Sequence, residues 1–257
     1  MTITYTPISE FKRASFSADI AGGHEVTHDT YSRGSGAPVV LIQELPGIGK
    51  ETLRLADKLI DAGFSVTLPH LFGPLEKTSL GGNLLRVMCM RKEFALFSAN
   101  KTSPIVDWLK ALCRHVREEH DAPGVGVIGM CLTGNFAISL IGDDSVLAAV
   151  SSQPAMPFHK QGALHMSDDE VAESRAALDD KGAMFAFRFD GDKLSTAEKF
   201  QCIHEAFNSD GSERVRLETL PGGGHSVFTL DFVDKEGHPT SEALASVIAY
   251  FRKQLGG

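Results

Sequence analysis

Along the chain, apolar residues fall into two patterns that take turns: short continuous runs, and longer stretches with helical spacing. Residues 38–43 (PVVLIQ) are β-branched and apolar on both faces, which predicts a buried parallel strand. Over residues 50–62, Leu53, Leu55, Ala56, Leu59 and Ile60 recur at helical intervals, and Gly63 stands where a helix stop belongs. A strand over 64–68 follows, ended by Pro69, and Ser103-Pro104 supplies a cap and first-turn proline for a helix through Trp108, Leu109, Leu112 and Val116. Further strands are expected over residues 125–128, 147–150, 184–189 and 215–220. Between them lie a helix opened by the capping box Ser167-Asp-Asp-Glu170, one marked by Phe200, Ile203 and Phe207, and a closing one through Leu244, Val247, Ile248, Phe251 and Leu255. Strands alternating with helices predict an α/β fold, a mainly parallel central sheet with helices on both faces. With no repeats or linker tracts, residues 1–257 are expected to form a single domain, residues 1–37 being an N-terminal strand or hairpin extension. Ligands of such sheets sit at the carboxyl ends of the strands.

Composition narrows the function classes. With 42% hydrophobic and 23% charged residues the chain is globular, neither disordered nor fibrous. Lys plus Arg number 25 against 33 Asp plus Glu, a net charge of −8, so no basic excess exists to neutralise nucleic acid or anionic membrane. No apolar run approaches a membrane span. Cys89, Cys113, Cys131 and Cys202 include no Cys-x-x-Cys pair, which implies reduced thiols and a cytoplasmic location. Cys89, Cys113 and Cys202 fall in predicted helices and read as structural. His24-Glu25-Val26-Thr27-His28 matches a zinc-protease pattern, but Gly22-Gly23 before it and β-branched residues inside it deny the helix that zinc binding requires. Gly47-Ile48-Gly49-Lys50 resembles a phosphate loop only faintly, since Glu44 and Glu51 stand where the motif needs Gly and Ser or Thr. Neither metal nor cofactor is expected.

The chemistry concentrates at strand ends. The strand at 125–128 runs into Gly129-Met130-Cys131-Leu132-Thr133-Gly134 and then a helix through Phe136, Ala137 and Leu140. That is a nucleophile elbow, whose apex needs small neighbours two residues either side. Gly129 supplies one, while Thr133 replaces the usual second glycine. A helix N-terminus stabilises thiolate through its unpaired N–H groups. After the strand at 184–189 comes Asp190-Gly191-Asp192, and after that at 215–220 comes Pro221-Gly-Gly-Gly-His225. Cys131, Asp192 and His225 thus follow the chain order of α/β-hydrolase triads, with Asp190 the poorer acid because it lies closer to its strand. Glu44, directly after the first buried strand, faces the same crevice, and the backbone N–H groups of Leu45 and Leu132 are the natural oxyanion pair.

Gln43-Glu44-Leu45-Pro46-Gly47, Gly129-Met-Cys131-Leu132, Phe189-Asp-Gly-Asp192 and Gly224-His225-Ser226 together resemble the dienelactone hydrolase family, from about Pro38 to the C-terminus. The resemblance implies an α/β-hydrolase fold, a Cys131-His225-Asp192 triad, and an acid at Glu44 that meets the resting thiol and helps generate thiolate as substrate binds. Two departures stand out: Thr133 in the elbow, and Val227, Phe228 and Thr229 where the founding enzymes carry an arginine that binds a substrate carboxylate. Arg86 or Arg91 would supply the family's other carboxylate-binding arginine, and Phe94, Phe97, Phe158 and Phe228 are candidate pocket walls. The expected activity is cofactor-free hydrolysis of a small-molecule lactone or ester by a monomer or small homo-oligomer. A phosphotriesterase or acyltransferase could use the same triad, and a non-catalytic reading makes Cys131 a redox sensor or part of a ligand site.

Overall fold

The computed structural model describes residues 3–20, 23–45, 47–76, 104–156 and 162–256. Among them are eight strands, β1 Lys12–Ile20, β2 His24–Gly34, β3 Pro38–Ile42, β4 Ser65–His70, β5 Val125–Met130, β6 Val146–Ser152, β7 Met184–Phe189 and β8 Val215–Leu220. The α-helices are α1 Lys50–Asp61, α2 Pro104–Glu119, α3 Gly134–Leu140, α4 Asp168–Lys181, α5 Ala197–Phe207 and α6 Pro239–Leu255. The strands form one sheet ordered β1-β2-β4-β3-β5-β6-β7-β8. Strands β4 through β8 in that order run parallel, while β2 joins β4 and β1 joins β2 antiparallel. The alternation of elements predicts this mainly parallel sheet with helices on both faces, and the family resemblance implies its α/β-hydrolase form; the N-terminal hairpin is built into the sheet.

Alternation along each strand divides the core in two. Val40 and Ile42 of β3 turn to the face covered by α2, α3 and α5, whereas Val39 and Leu41 turn to the face covered by α1 and α6. Trp108 of α2, fully buried, donates its indole N–H to Val26 O at 3.1 Å and meets the rings of Phe16 and His28 edge-on, which fastens the hairpin to the layer above it. Helix boundaries follow capping chemistry: Ser167 Oγ accepts from Glu170 N at 3.2 Å, and Glu170 Oε2 accepts from Ser167 N at 2.9 Å. Helix α5 hides a charge in this core. Lys199 is completely buried, its Nζ donating to Ala163 O at 2.6 Å, and burial brings its pKa down to about 7.

The strand expected to end before Pro69 instead continues to His70. Its parallel partner β3 pairs only as far as Thr67, so Pro69 lies alongside β2 alone, paired with Thr30. A proline is tolerated at such an edge-like position. From β3 the chain passes through α1 to β4 on one side, whereas β5 lies on the other. That reversal opens a crevice beyond the carboxyl ends of β3 and β5, where Glu44 and Cys131 follow. No helix among the described residues is long and apolar enough to cross a membrane.

Candidate active site

Cys131 sits at the apex of the turn between β5 and α3 with φ +56°, a left-handed backbone that a non-glycine residue adopts only under constraint. Strand and helix approach so closely that a Cβ on Gly129 would lie 2.2 Å from Thr133 O, so only glycine fits there. Thr133 is accommodated for a different reason. Its φ is −76°, which any residue adopts, and its buried Oγ1 accepts from Met130 N at 2.9 Å. The hydroxyl proton faces the carbonyls of Gln43 at 3.0 Å, Met130 at 2.9 Å and Ile42 at 3.3 Å. The residue that departs from the elbow pattern thus ties the elbow to the end of β3.

Two loops bring the other members. Asp192, past the end of β7, accepts from Leu194 N at 2.8 Å and Ser195 N at 3.1 Å through Oδ1, leaving Oδ2 for His225 Nδ1 at 2.7 Å. Asp190 is exposed and instead accepts from Gly222 N at 2.9 Å, joining the Asp192 loop to the glycine loop. Asp231 Oδ2 accepts from the backbone N–H groups of His225 at 2.8 Å and Ser226 at 2.9 Å. A Cβ at Gly224 would meet Asp231 Cγ at 2.6 Å, which explains a glycine before the histidine. His225 Nε2 is buried and makes no aligned hydrogen bond, but the Cys131 side chain lies near enough to act on the ring. Burial alone would lower the His225 pKa. The Asp192 hydrogen bond and the Cys131 sulphur outweigh it and push the pKa up to about 10. Such loose nucleophile–base contacts are common before substrate binds.

Glu44 is buried, and no hydrogen bond joins it to Cys131 among the described residues. Its Oε2 accepts from Ser226 Oγ at 3.0 Å and Gln153 Nε2 at 3.1 Å, and its Oε1 meets the Thr229 hydroxyl. Burial raises its pKa; the Thr229 and Ser226 hydroxyls, the His225 charge and the Gln153 amide oppose the rise without cancelling it. Gln153 is the site residue that sequence reasoning missed. It follows β6 with φ +35°, is fully buried, and bridges Glu44 to Val227 N, which donates to Gln153 Oε1 at 3.3 Å.

Leu132 follows Cys131 in the elbow turn after β5, and Leu45 lies in the turn after Glu44 and β3. Phe228 is 1% exposed and packs its ring edge-on against Phe187, 5.2 Å between centroids. Its neighbours Val227 and Thr229 are buried as well. Cys113 is buried in α2, and burial raises its thiol pKa far above the ordinary range. His24 and His28 lie on β2, four residues apart along an extended strand, where they cannot share a ligand as they would on a helix. Arg86, Arg91, Cys89, Phe94, Phe97 and Phe158 lie outside the described residues.

A sequence model of the dienelactone hydrolase family matches residues 29–255. No curated protein matches the chain. Among solved structures, a dienelactone hydrolase-like promiscuous phosphotriesterase from metagenomic libraries superposes with TM-score 0.62 at 14% identity, covering 95% of this chain and 99% of its own. An esterase from Pyrococcus furiosus superposes with TM-score 0.59 at 15% identity over 100% and 97% of the two chains. A cold-adapted esterase from an Arctic intertidal metagenomic library gives TM-score 0.58 at 16% identity over 98% and 99%.

Proposed function

Because the chain belongs to the dienelactone hydrolase family and is a carboxylic ester hydrolase, we propose that it cleaves a lactone or ester through a Cys131-His225-Asp192 triad and an acyl-enzyme. One observation carries the reading: Cys131 stands in a left-handed backbone at the head of a helix, facing the His225 ring that Asp192 orients. A cysteine packed there merely as a small apolar residue would not need that strain.

The steps balance with the groups present. As substrate binds, His225 Nε2 takes the Cys131 thiol proton, and Asp192 holds the resulting imidazolium through Nδ1–H. The Sγ lone pair forms a bond to the carbonyl carbon, and the oxyanion is held by the Leu45 and Leu132 N–H groups. Collapse breaks the carbon–oxygen bond to the alcohol portion, whose oxygen takes the proton from His225 Nε2. A water then gives its proton to His225 and its oxygen to the acyl carbon, and the thiolate leaves. The carboxylic acid product carries no atom of the protein. With Val227, Phe228 and Thr229 buried where the founding enzymes bind a carboxylate, the substrate proposed here is a neutral, more apolar ester or lactone.

Cys131→Ala is expected to reduce turnover of an activated aryl ester by at least about a thousandfold. Intact-mass measurement of the wild type quenched during turnover should show the acyl adduct, mapped to Cys131. Unaltered turnover in Cys131→Ala would overturn the assignment. An enzyme sharing this fold is described as a promiscuous phosphotriesterase, so a phosphotriester belongs in the same substrate panel as the alternative electrophile.

A further inference from the structure

We propose that Arg188 of β7 is a positioning residue for the triad acid, its guanidinium fork fixing the loop at residues 190–195 and so the direction in which Asp192 Oδ2 faces His225. The inference rests on the proposed triad and extends it to a residue that lies behind the reacting atoms. Alternation along β7 turns Met184, Ala186 and Arg188 to the face covered by α2, α3 and α5, where the first two are apolar and fully buried. Arg188 is 7% exposed in a place the pattern would fill with an apolar side chain. An arginine so far removed from water needs partners of its own. It finds them in two carbonyls of the loop that follows: Nε donates to Ser195 O at 2.9 Å and Nη2 to Asp190 O at 3.0 Å. The guanidinium also lies over the ring of Phe200 in α5, 5.6 Å from its centre.

Those two carbonyls bracket Asp192. A planar guanidinium offers its donors at fixed angles, so a single side chain sets the separation of Asp190 O from Ser195 O. Ser195 is held through both backbone groups, since its N–H donates to Asp192 Oδ1 at 3.1 Å. Leu194 N adds a second bond to the same oxygen at 2.8 Å, and Asp192 N donates to Phe189 O at 3.2 Å. With Oδ1 committed to the loop, the position of the loop decides where Oδ2 points, and Oδ2 meets His225 Nδ1 at 2.7 Å. The same loop is tied to the segment that leads to His225: Asp190 N donates to Leu220 O at 2.8 Å and Gly191 N to Gly222 O at 2.9 Å. One side chain therefore steadies the acid directly and the histidine loop through it. A lysine in its place would keep the charge but carry a methylene where Arg188 has Nε–H, so Ser195 O would lose its partner.

The test compares Arg188→Lys and Arg188→Met, both of which keep a long unbranched stem. Arg188→Met removes both bonds and should lower kcat about a hundredfold with KM within about twofold, because the triad acid is displaced while no substrate contact is removed. Arg188→Lys should lose about tenfold in kcat. In NMR titration the His225 pKa should fall below its value of about 10 in both variants, further in Arg188→Met, since the Asp192 hydrogen bond is among the influences that raise it. A residue that served stability alone would lower the thermal midpoint and leave the folded enzyme's kcat and the His225 pKa where the wild type has them; that result overturns the proposal. Arg188→Lys indistinguishable from wild type in both readouts overturns it as well, because the bond to Ser195 O would then fix nothing. Should Arg188→Met fail to fold, Arg188→Lys decides alone. The titration needs no substrate, so a wild type inactive on every ester would refute the proposed activity while the His225 pKa still judges Arg188.

Discussion

The Thr133 hydroxyl replaces what a second glycine would do in the elbow. Removing it while keeping the shape, in Thr133→Val, leaves Met130 N–H without its acceptor inside the core. The cost expected is about 1–3 kcal/mol, read as a fall in thermal midpoint of roughly 2–4 °C per kcal/mol, with Thr133→Ser close to wild type. The sulphur at Cys131 has a partner effect. Cys131→Ala removes one of the influences holding a proton on His225, so the ring's pKa should fall from about 10, measured by NMR titration. Cys131, Asp192 and His225 could be read from the chain because each sits at the end of a recognisable strand in triad order. Thr133 could be seen only as a misfit, since its partners at Ile42 and Gln43 lie about 90 residues away. Gln153 carried no signal at all: its work depends on a backbone angle and on residues 109 and 74 positions distant.

Among elements, α5 shows how far periodicity reaches. Phe200, Ile203 and Phe207 mark its buried stripe, and Lys199, one residue before Phe200 and one turn from Ile203, falls on the same face. The stripe was readable, but a lysine on it reads as solvent-facing by its chemistry. Lys199→Met should raise the thermal midpoint at pH 7, where the buried amine's lost charge costs on the order of a few kcal/mol. The gain should shrink and reverse near pH 10, where only the lost bond to Ala163 O remains. A calorimetric comparison at the two pH values checks both signs. Strand β4 illustrates the opposite error, a stop signal overridden because Pro69 lies beyond the reach of β3. Order and type of elements follow from local pattern, whereas their ends follow from which neighbours are alongside.

At the scale of the molecule, the sheet reversal between β3 and β5 opens a crevice that residues from five strand ends share. The hydrophobic pattern predicts that sheet and its two covered faces, but not the contacts across the crevice. Two titrating groups of the molecule, one at the crevice and one in the core, contribute opposite responses of stability to pH. His225 is raised from 6.5 to about 10, so its contribution is complete below pH 6.5 and is lost as pH rises through 10. Lys199 is lowered from 10.5 to about 7, so the unfolded chain binds the extra proton between these values and stability rises with pH across them. The two slopes oppose each other over nearly the same range. Near pH 8.5, roughly the middle of it, unfolding frees a proton from His225 while Lys199 captures one. These two groups therefore exchange no net proton with the buffer. Lys199→Met should shift the difference between the unfolding enthalpies in phosphate and in Tris, whose heats of ionisation differ greatly, by one proton's worth of that heat. A lysine hidden in a helix and a histidine at the candidate site thus cancel each other's proton exchange on unfolding in mildly alkaline solution.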